Sequence, residues 1–173
     1  MTQQLLARFC EFWQQPDDST RPVMREFLNA LSARAAGCWR RQGDELICLE
    51  FVAVDDMPLE VQNGFLDVMR RVSLSHVELG CVRAAVEMRP VVAREDAAQR
   101  GLEGSASWLA RFGAGQSLAI PILRNGEVLG VLAIATVAHF DESSVVWKTM
   151  AEMVEAISQV TEIGATLESG SLE

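Results

Sequence analysis

The sequence predicts an α/β domain of the α+β kind, an antiparallel sheet covered on one face by helices from both chain ends. Three observations predict it. Residues 117–142 read SLAIPILRNGEVLGVLAIATVAHFDE, two apolar runs flanking Asn125-Gly126, a pair that tolerates positive φ and suits a two-residue hairpin turn. Residues 37–54 repeat that arrangement around Gly43-Asp44. Both ends of the chain instead place apolar side chains at three- and four-residue steps, the period of an amphipathic helix.

The first helix spans residues 3–14, with Leu5, Leu6, Phe9, Phe12 and Trp13 on one face. Pro16-Asp17-Asp18-Ser19-Thr20 breaks it, since proline cannot continue the hydrogen-bond ladder. A second helix is expected over 22–36, capped by Thr20, striped by Val23, Phe27, Leu28 and Leu31, and ended by Gly37. The first hairpin follows. Pro58 opens a helix near 58–71 with Val61, Phe65, Val68 and Met69 on one face. A shorter helix near 79–87 leads to a strand at 90–93. Residues 94–116 are polar and punctuated by glycine, with a short helix expected at 107–112. After the second hairpin, Asp141 is expected to cap a last helix over 142–167. There Val146, Met150, Met153, Ile157, Val160, Gly164 and Leu167 follow a 4-3-4-3-4-3 spacing. Such a narrow seam suits a helical partner, so Val146, Met150, Met153, Ile157, Val160 and Leu167 are expected at a homodimer interface. The alternative is a helix packed on its own domain. The division expected is a helix and linker at 1–21, a domain at 22–168 and a polar tail at 169–173. A seam that stops at a polar tail also predicts that the chain is a segment of a longer protein.

Composition narrows the function classes. At 173 residues and 49% hydrophobic, the chain can bury one core without staples. Its net charge is −9 and it holds a single lysine, Lys148, so a phosphate-binding surface is not expected; neither nucleic acid nor an anionic membrane is a predicted partner. No apolar run reaches the roughly 18 residues of a membrane helix, and the N-terminus lacks the charge pattern of a secretory signal. The four cysteines, Cys10, Cys38, Cys48 and Cys81, form no CxxC pair. Their low number predicts free thiols in a reducing, cytoplasmic setting.

Three segments together resemble a GAF domain: residues 37–54; LGCVRAAVEMRPVV at 79–92 with Glu95-Asp96 after it; and the strand–turn–strand–helix run of 117–142, with Pro121 in its first strand and Gly130 in its second. The resemblance implies a central sheet of about six strands, terminal helices on one face, and a pocket between the other face and the helices and loops that cover it. It also implies a regulatory module of a bacterial-type signalling protein, dimeric through its terminal helices and sensing a small molecule or a redox change. By position in the family pattern the pocket walls are Phe51, Trp108, Phe112 and Leu118. Polar contacts are Arg94, Asp96, Ser117 and Thr136, with Cys81 beside them. Trp108 and Phe112 are four residues apart and share a helix face.

Departures from the better-defined subfamilies argue against several cofactors. Bilin-binding members carry a Cys ahead of the second hairpin; EGSASWLARFGAGQS here has neither Cys nor His, so covalent tetrapyrrole is not expected. Free methionine sulfoxide reductases place reactive cysteines between the Pro-Val-Val strand and that hairpin, and this chain has none there. Cyclic-nucleotide-binding members carry an Asn-Lys…Phe…Asp-Glu pattern, of which only Phe140-Asp141-Glu142 is present. His76 and His139 are too few for a three-histidine metal site; His76 falls in a loop able to border a pocket and His139 is expected at the surface, and haem with a single axial histidine is an alternative that is not expected. Asp55, Asp56, Asp96 and Cys81 or Cys48 supply a non-haem iron donor set by type, with a polar loop as the simpler account of Asp55-Asp56. No metal is expected and the ligand is unspecified. No G-x-S-x-G elbow places a nucleophile, and the chain is not expected to be an enzyme. Two alternatives accompany the sensor reading: a ligand-free interaction module whose aromatics fill the core, and a thiol-dependent enzyme using Cys81.

Overall fold

The computed structural model describes residues 2–96 and 101–168, and of 161–168 the backbone alone. Its strands are β1 (Ala35–Gln42), β2 (Glu45–Ala53), β3 (Arg71–Ser73), β4 (Val91–Arg94), β5 (Gln116–Arg124) and β6 (Glu127–Thr136). They form one antiparallel sheet in the order β3-β2-β1-β6-β5-β4. The helices are α1 (Gln3–Gln14), α2 (Thr20–Ala30), α3 (Leu59–Met69), α4 (Gly80–Glu87), α5 (Glu103–Phe112) and α6 (Val145–Glu168). No described helix is long and apolar enough to cross a membrane.

Both hairpins turn where their residues allow it. Asn125 and Gly126 have φ of 50° and 78°, as a primed two-residue turn requires, and Gly43 has φ of 62°. The sheet edges are short strands of three and four residues, which limits unpaired backbone. β3 went unforeseen, because three residues carry no period.

Alternation along each strand builds two cores, one on each side of the sheet. On β6, Val131, Ala133 and Ala135 join one core, while Leu132 and Ile134 join the other. The second core takes Phe9, Phe12 and Trp13 from α1, Val23, Phe27 and Leu28 from α2, and Met150, Met153 and Ile157 from α6. The first takes Phe65 and Met69 from α3, Val82 and Ala85 from α4, and Leu109 and Phe112 from α5. The expected layering is observed: terminal helices on one face, α3, α4 and α5 on the other.

Several local expectations are corrected. α2 ends at Ala30, not near 36, and Gly37 lies inside β1. A Cβ at Gly37 would sit 2.3 Å from the Trp39 ring, so this glycine is there to let the indole lie over it. Thr20 is the first residue of α2 rather than its cap, and its hydroxyl accepts the Asp17 N–H at 3.0 Å. The cap of α6 is Ser144, whose hydroxyl accepts the Trp147 N–H at 3.1 Å. Asp141 instead closes a local turn, accepting from the Ser143 N–H and hydroxyl at 2.9 and 2.6 Å. The largest correction concerns the heptad seam. Met150, Met153 and Ile157 have no exposed surface within the single chain, and Val146 and Val160 are half-buried against the same core. The chain's own α1 and sheet cover Met150, Met153 and Ile157, so these three are not free to meet a second subunit. The Leu167 side chain and the tail at 169–173 lie outside the described residues.

Candidate functional site

The pocket-side core does not close completely. A cavity of about 60 Å3 remains between the sheet and α3, α4 and α5. Its floor is made of small residues from three adjacent strands. Ala35 pairs with Ala135, which pairs with Ser117; Gly37 pairs with Ala133, which pairs with Ala119. Two rows of residues with little or no side chain leave the sheet bare there. The rim is aromatic. Phe65 on α3 is its hub, with ring centroids 4.7 Å from Phe51, 5.1 Å from Phe112 and 5.2 Å from Trp108. Offset and edge-on pairs of this kind add to the stabilisation from burial.

Trp39 bounds the cavity on the remaining side. Its Nε1–H donates to the Met69 carbonyl at 2.8 Å, so the indole is fixed against the end of α3. Ser105 ties the roof to α4: its hydroxyl accepts the Gly80 N–H at 2.7 Å, and its own N–H donates to the Glu78 carbonyl at 3.2 Å. Arg83 donates to the Val77 carbonyl at 3.0 Å and to that of Gly101. At the far end of α5, Arg34 donates from Nε to the Phe112 carbonyl at 3.0 Å and from its terminal nitrogen to Asp56 at 2.8 Å. The roof helix is thus fastened at both ends.

Of the residues expected at a site, Phe51, Cys81, Trp108, Phe112 and Ser117 line this cavity. The others do not. Leu118 and Thr136 take the opposite face of their strands; Leu118 packs in the terminal-helix core, and the Thr136 hydroxyl donates to the Ala138 carbonyl at 2.7 Å. Arg94 has the parity of the terminal-helix face and is exposed, as is Asp96. A shift of one residue along a strand exchanges its two faces, and position in a family pattern does not resolve a single residue. Sequence reasoning missed Phe65, Trp39, Met69 and Ser105. Phe65 and Met69 were visible as a helical stripe, but that stripe does not say which of its members borders a void. Gln116, one residue before Ser117, was also missed. It is fully buried on the terminal-helix side, its Nε2 donates to the Phe140 carbonyl at 2.8 Å, and its Oε1 has no partner among the described residues.

Thiol chemistry at Cys81 needs a thiolate near neutral pH. Cys81 is partly exposed, yet its apolar surroundings, with the Cys48 thiol as a smaller influence, push it up to about 12. Burial likewise pushes Cys48 up to about 12 and raises Cys38. These shifts oppose an activated nucleophile. Cys81 is expected to react with iodoacetamide at neutral pH far more slowly than the same thiol in the urea-unfolded chain, as mass spectrometry of timed samples would show. A raised thiol in the folded state also means that the unfolded chain loses its protons first. Stability is therefore full below the ordinary thiol value of 9.0 and falls as pH climbs towards about 12. The chain has no tyrosine, so urea midpoints across that window report thiols with little interference. A flat midpoint would contradict the burial of these groups.

Asp55 pairs with Arg25 at 2.8 Å and Asp56 with Arg34, so both belong to surface ion pairs. His76 is exposed and pairs with Glu78 at 3.1 Å; His139 is exposed. Among the described residues no group of three or more His, Cys, Asp and Glu is arranged to hold a metal.

A model of the GAF domain matches residues 15–163, which takes in the whole sheet and the cavity beneath α5. The chain belongs to the GAF domain family. Curated protein sequences give no match. Solved structures share the fold at low identity. A methyl-accepting chemotaxis protein, residues 122 to 287, is 14% identical with a TM-score of 0.66, over 95% of this chain and 98% of that one. The phycocyanobilin-bound GAF domain of a cyanobacterial phytochrome is 12% identical with a TM-score of 0.65, over 97% of both chains. Free methionine-R-sulfoxide reductase from Neisseria meningitidis, solved with its substrate, is 17% identical with a TM-score of 0.61, over 94% of this chain and 89% of that one.

Proposed function

We propose that this GAF domain is a regulatory module that binds a small molecule in the cavity above β1, β5 and β6. The observation that carries the reading is the cavity itself: an aromatic rim over a floor stripped of side chains, with two hydroxyls, a thiol and the indoles of Trp39 and Trp108 as its polar groups. Such an apolar concavity with few polar groups is the common form of a small-molecule site. Its position between the sheet and three fastened helices lets occupancy bias how those helices sit, provided the ligand prefers one arrangement. A chemotaxis protein and a phytochrome use the same fold, which supports a sensory role. The raised Cys81 thiol favours ligand sensing over redox sensing or catalysis. Any homodimer of the domain uses surfaces other than the Met150, Met153 and Ile157 stripe.

One observation favours the ligand-free reading. Pockets for drug-sized ligands run to about 300–1,000 Å3, several times this cavity. Native mass spectrometry of the purified protein separates the two. Added non-protein mass that is lost on denaturation supports the binding module and narrows its ligand. A bare chain whose heat-denaturation midpoint is unmoved by any member of a small-metabolite panel supports the interaction module.

A further inference from the structure

We infer that the cavity selects a small uncharged ligand, hydrogen-bonded through Ser117, and rejects carboxylates and phosphates of similar shape. The inference rests on the reading that the cavity binds a ligand at all.

Size sets the first limit. At about 60 Å3 the cavity is small against the roughly 300–1,000 Å3 of a site for a drug-sized ligand. The side chains that set this limit are anchored. The Trp39 indole is held by the Met69 carbonyl and lies over Gly37, and Phe65 is held among three other rings. A nucleotide or a tetrapyrrole would require both to leave.

Charge sets the second. The lining contains no Asp, Glu, His, Lys or Arg. The two arginines that fasten the roof are committed outside the cavity, Arg34 to Asp56 and the Phe112 carbonyl, Arg83 to the Val77 and Gly101 carbonyls. An anion entering here would give up its hydration for no counter-charge. A neutral amide, ketone or alcohol gives up far less.

The remaining polar groups set the third. The Trp39 N–H is already used, and the Ser105 oxygen already accepts the Gly80 N–H, which leaves its O–H and the Trp108 indole N–H as donors only. Ser117 sits at the edge of the bare floor, opposite Ala135, and its hydroxyl has no partner among the described residues. A hydroxyl can both donate and accept, so it suits a ligand that carries one carbonyl, hydroxyl or amide group.

Propionamide and propionate test this directly, being nearly the same shape and differing in charge. Ala35, Ala119, Ala133 and Ala135 on the floor supply reporters when their methyl groups are 13C-labelled. Propionamide is expected to shift those four methyl signals, and propionate to bind at least tenfold more weakly. Ser117→Ala is expected to weaken propionamide severalfold while leaving the response to xenon, which needs only an accessible apolar void. Propionate binding as well as propionamide overturns the uncharged-ligand inference and leaves the binding reading standing. So does a response to xenon with none to propionamide. Propionamide binding unchanged in Ser117→Ala overturns the role of Ser117. Silence of all four methyls to all three probes overturns the binding reading itself.

Discussion

Replacing Met153 and Ile157 together with glutamate is expected to unfold the chain rather than to release a folded monomer. Both side chains are fully buried in the core that α6 shares with α1 and the sheet. Each carboxylate would have to be buried unpaired or neutralised, and either course costs several kcal/mol. Two such costs approach or exceed the roughly 5–15 kcal/mol that holds an ordinary domain folded. Met153→Ala alone should destabilise by about 2–5 kcal/mol through the void it leaves. The opposite face of α6 gives the control: Glu152 and Glu155 are exposed, and substituting either with alanine should shift stability by less than about 0.5 kcal/mol. Circular dichroism and urea titration read all of these. A double glutamate variant that stays helical and cooperative would show that the terminal helices do not pack on their own sheet as described.

Gly130→Ala carries the second large effect, for a different reason. Its φ is not in the left-handed region, and the obstacle is space alone. An added Cβ would lie 2.1 Å from the Trp39 carbonyl oxygen on the neighbouring strand and 2.5 Å from the Trp13 ring. The oxygen belongs to backbone held in the ladder, where Gly130 sits opposite Arg40 on one side and Ile122 on the other. Neither strand can retreat without breaking pairing at the centre of the sheet. A loss of at least about 3 kcal/mol is expected, at or beyond the upper end for overpacking. Gly43→Ala makes the comparison: its φ of 62° costs an alanine on the order of 1 kcal/mol, and nothing lies within 4 Å of the new Cβ. Equal losses at the two positions would mean that the close approach at Gly130 is relieved in solution.

The parts of this fold that were legible in the sequence are those that local chemistry decides. Asn125-Gly126 and Gly43-Asp44 announce their hairpins because few other residues accept those dihedrals. The period of α6 was equally plain, but a period shows only that one face is apolar and never what covers it. Its seam pointed to a second subunit, with the chain's own domain as the alternative, and Met150, Met153 and Ile157 pack in the latter. Gly37 was misread because glycine ends helices and also makes room in strands, and only the neighbouring Trp39 decides between them. The cavity was legible through its rim and not through its floor. Phe51, Trp108 and Phe112 are conspicuous residues, whereas Ala35, Gly37, Ala119, Ala133 and Ala135 mark the site by what they lack. Their significance appears only when the register sets three strands side by side.

The parity of β5 has a further consequence. Ser117 borders the cavity, and the residue before it, Gln116, reaches through the opposite side of the sheet to hold the Phe140 carbonyl just ahead of α6. The covalent route from the cavity wall to the anchor of the last helix is therefore a single peptide unit followed by one side-chain amide. A displacement of that peptide unit would be felt at both ends at once.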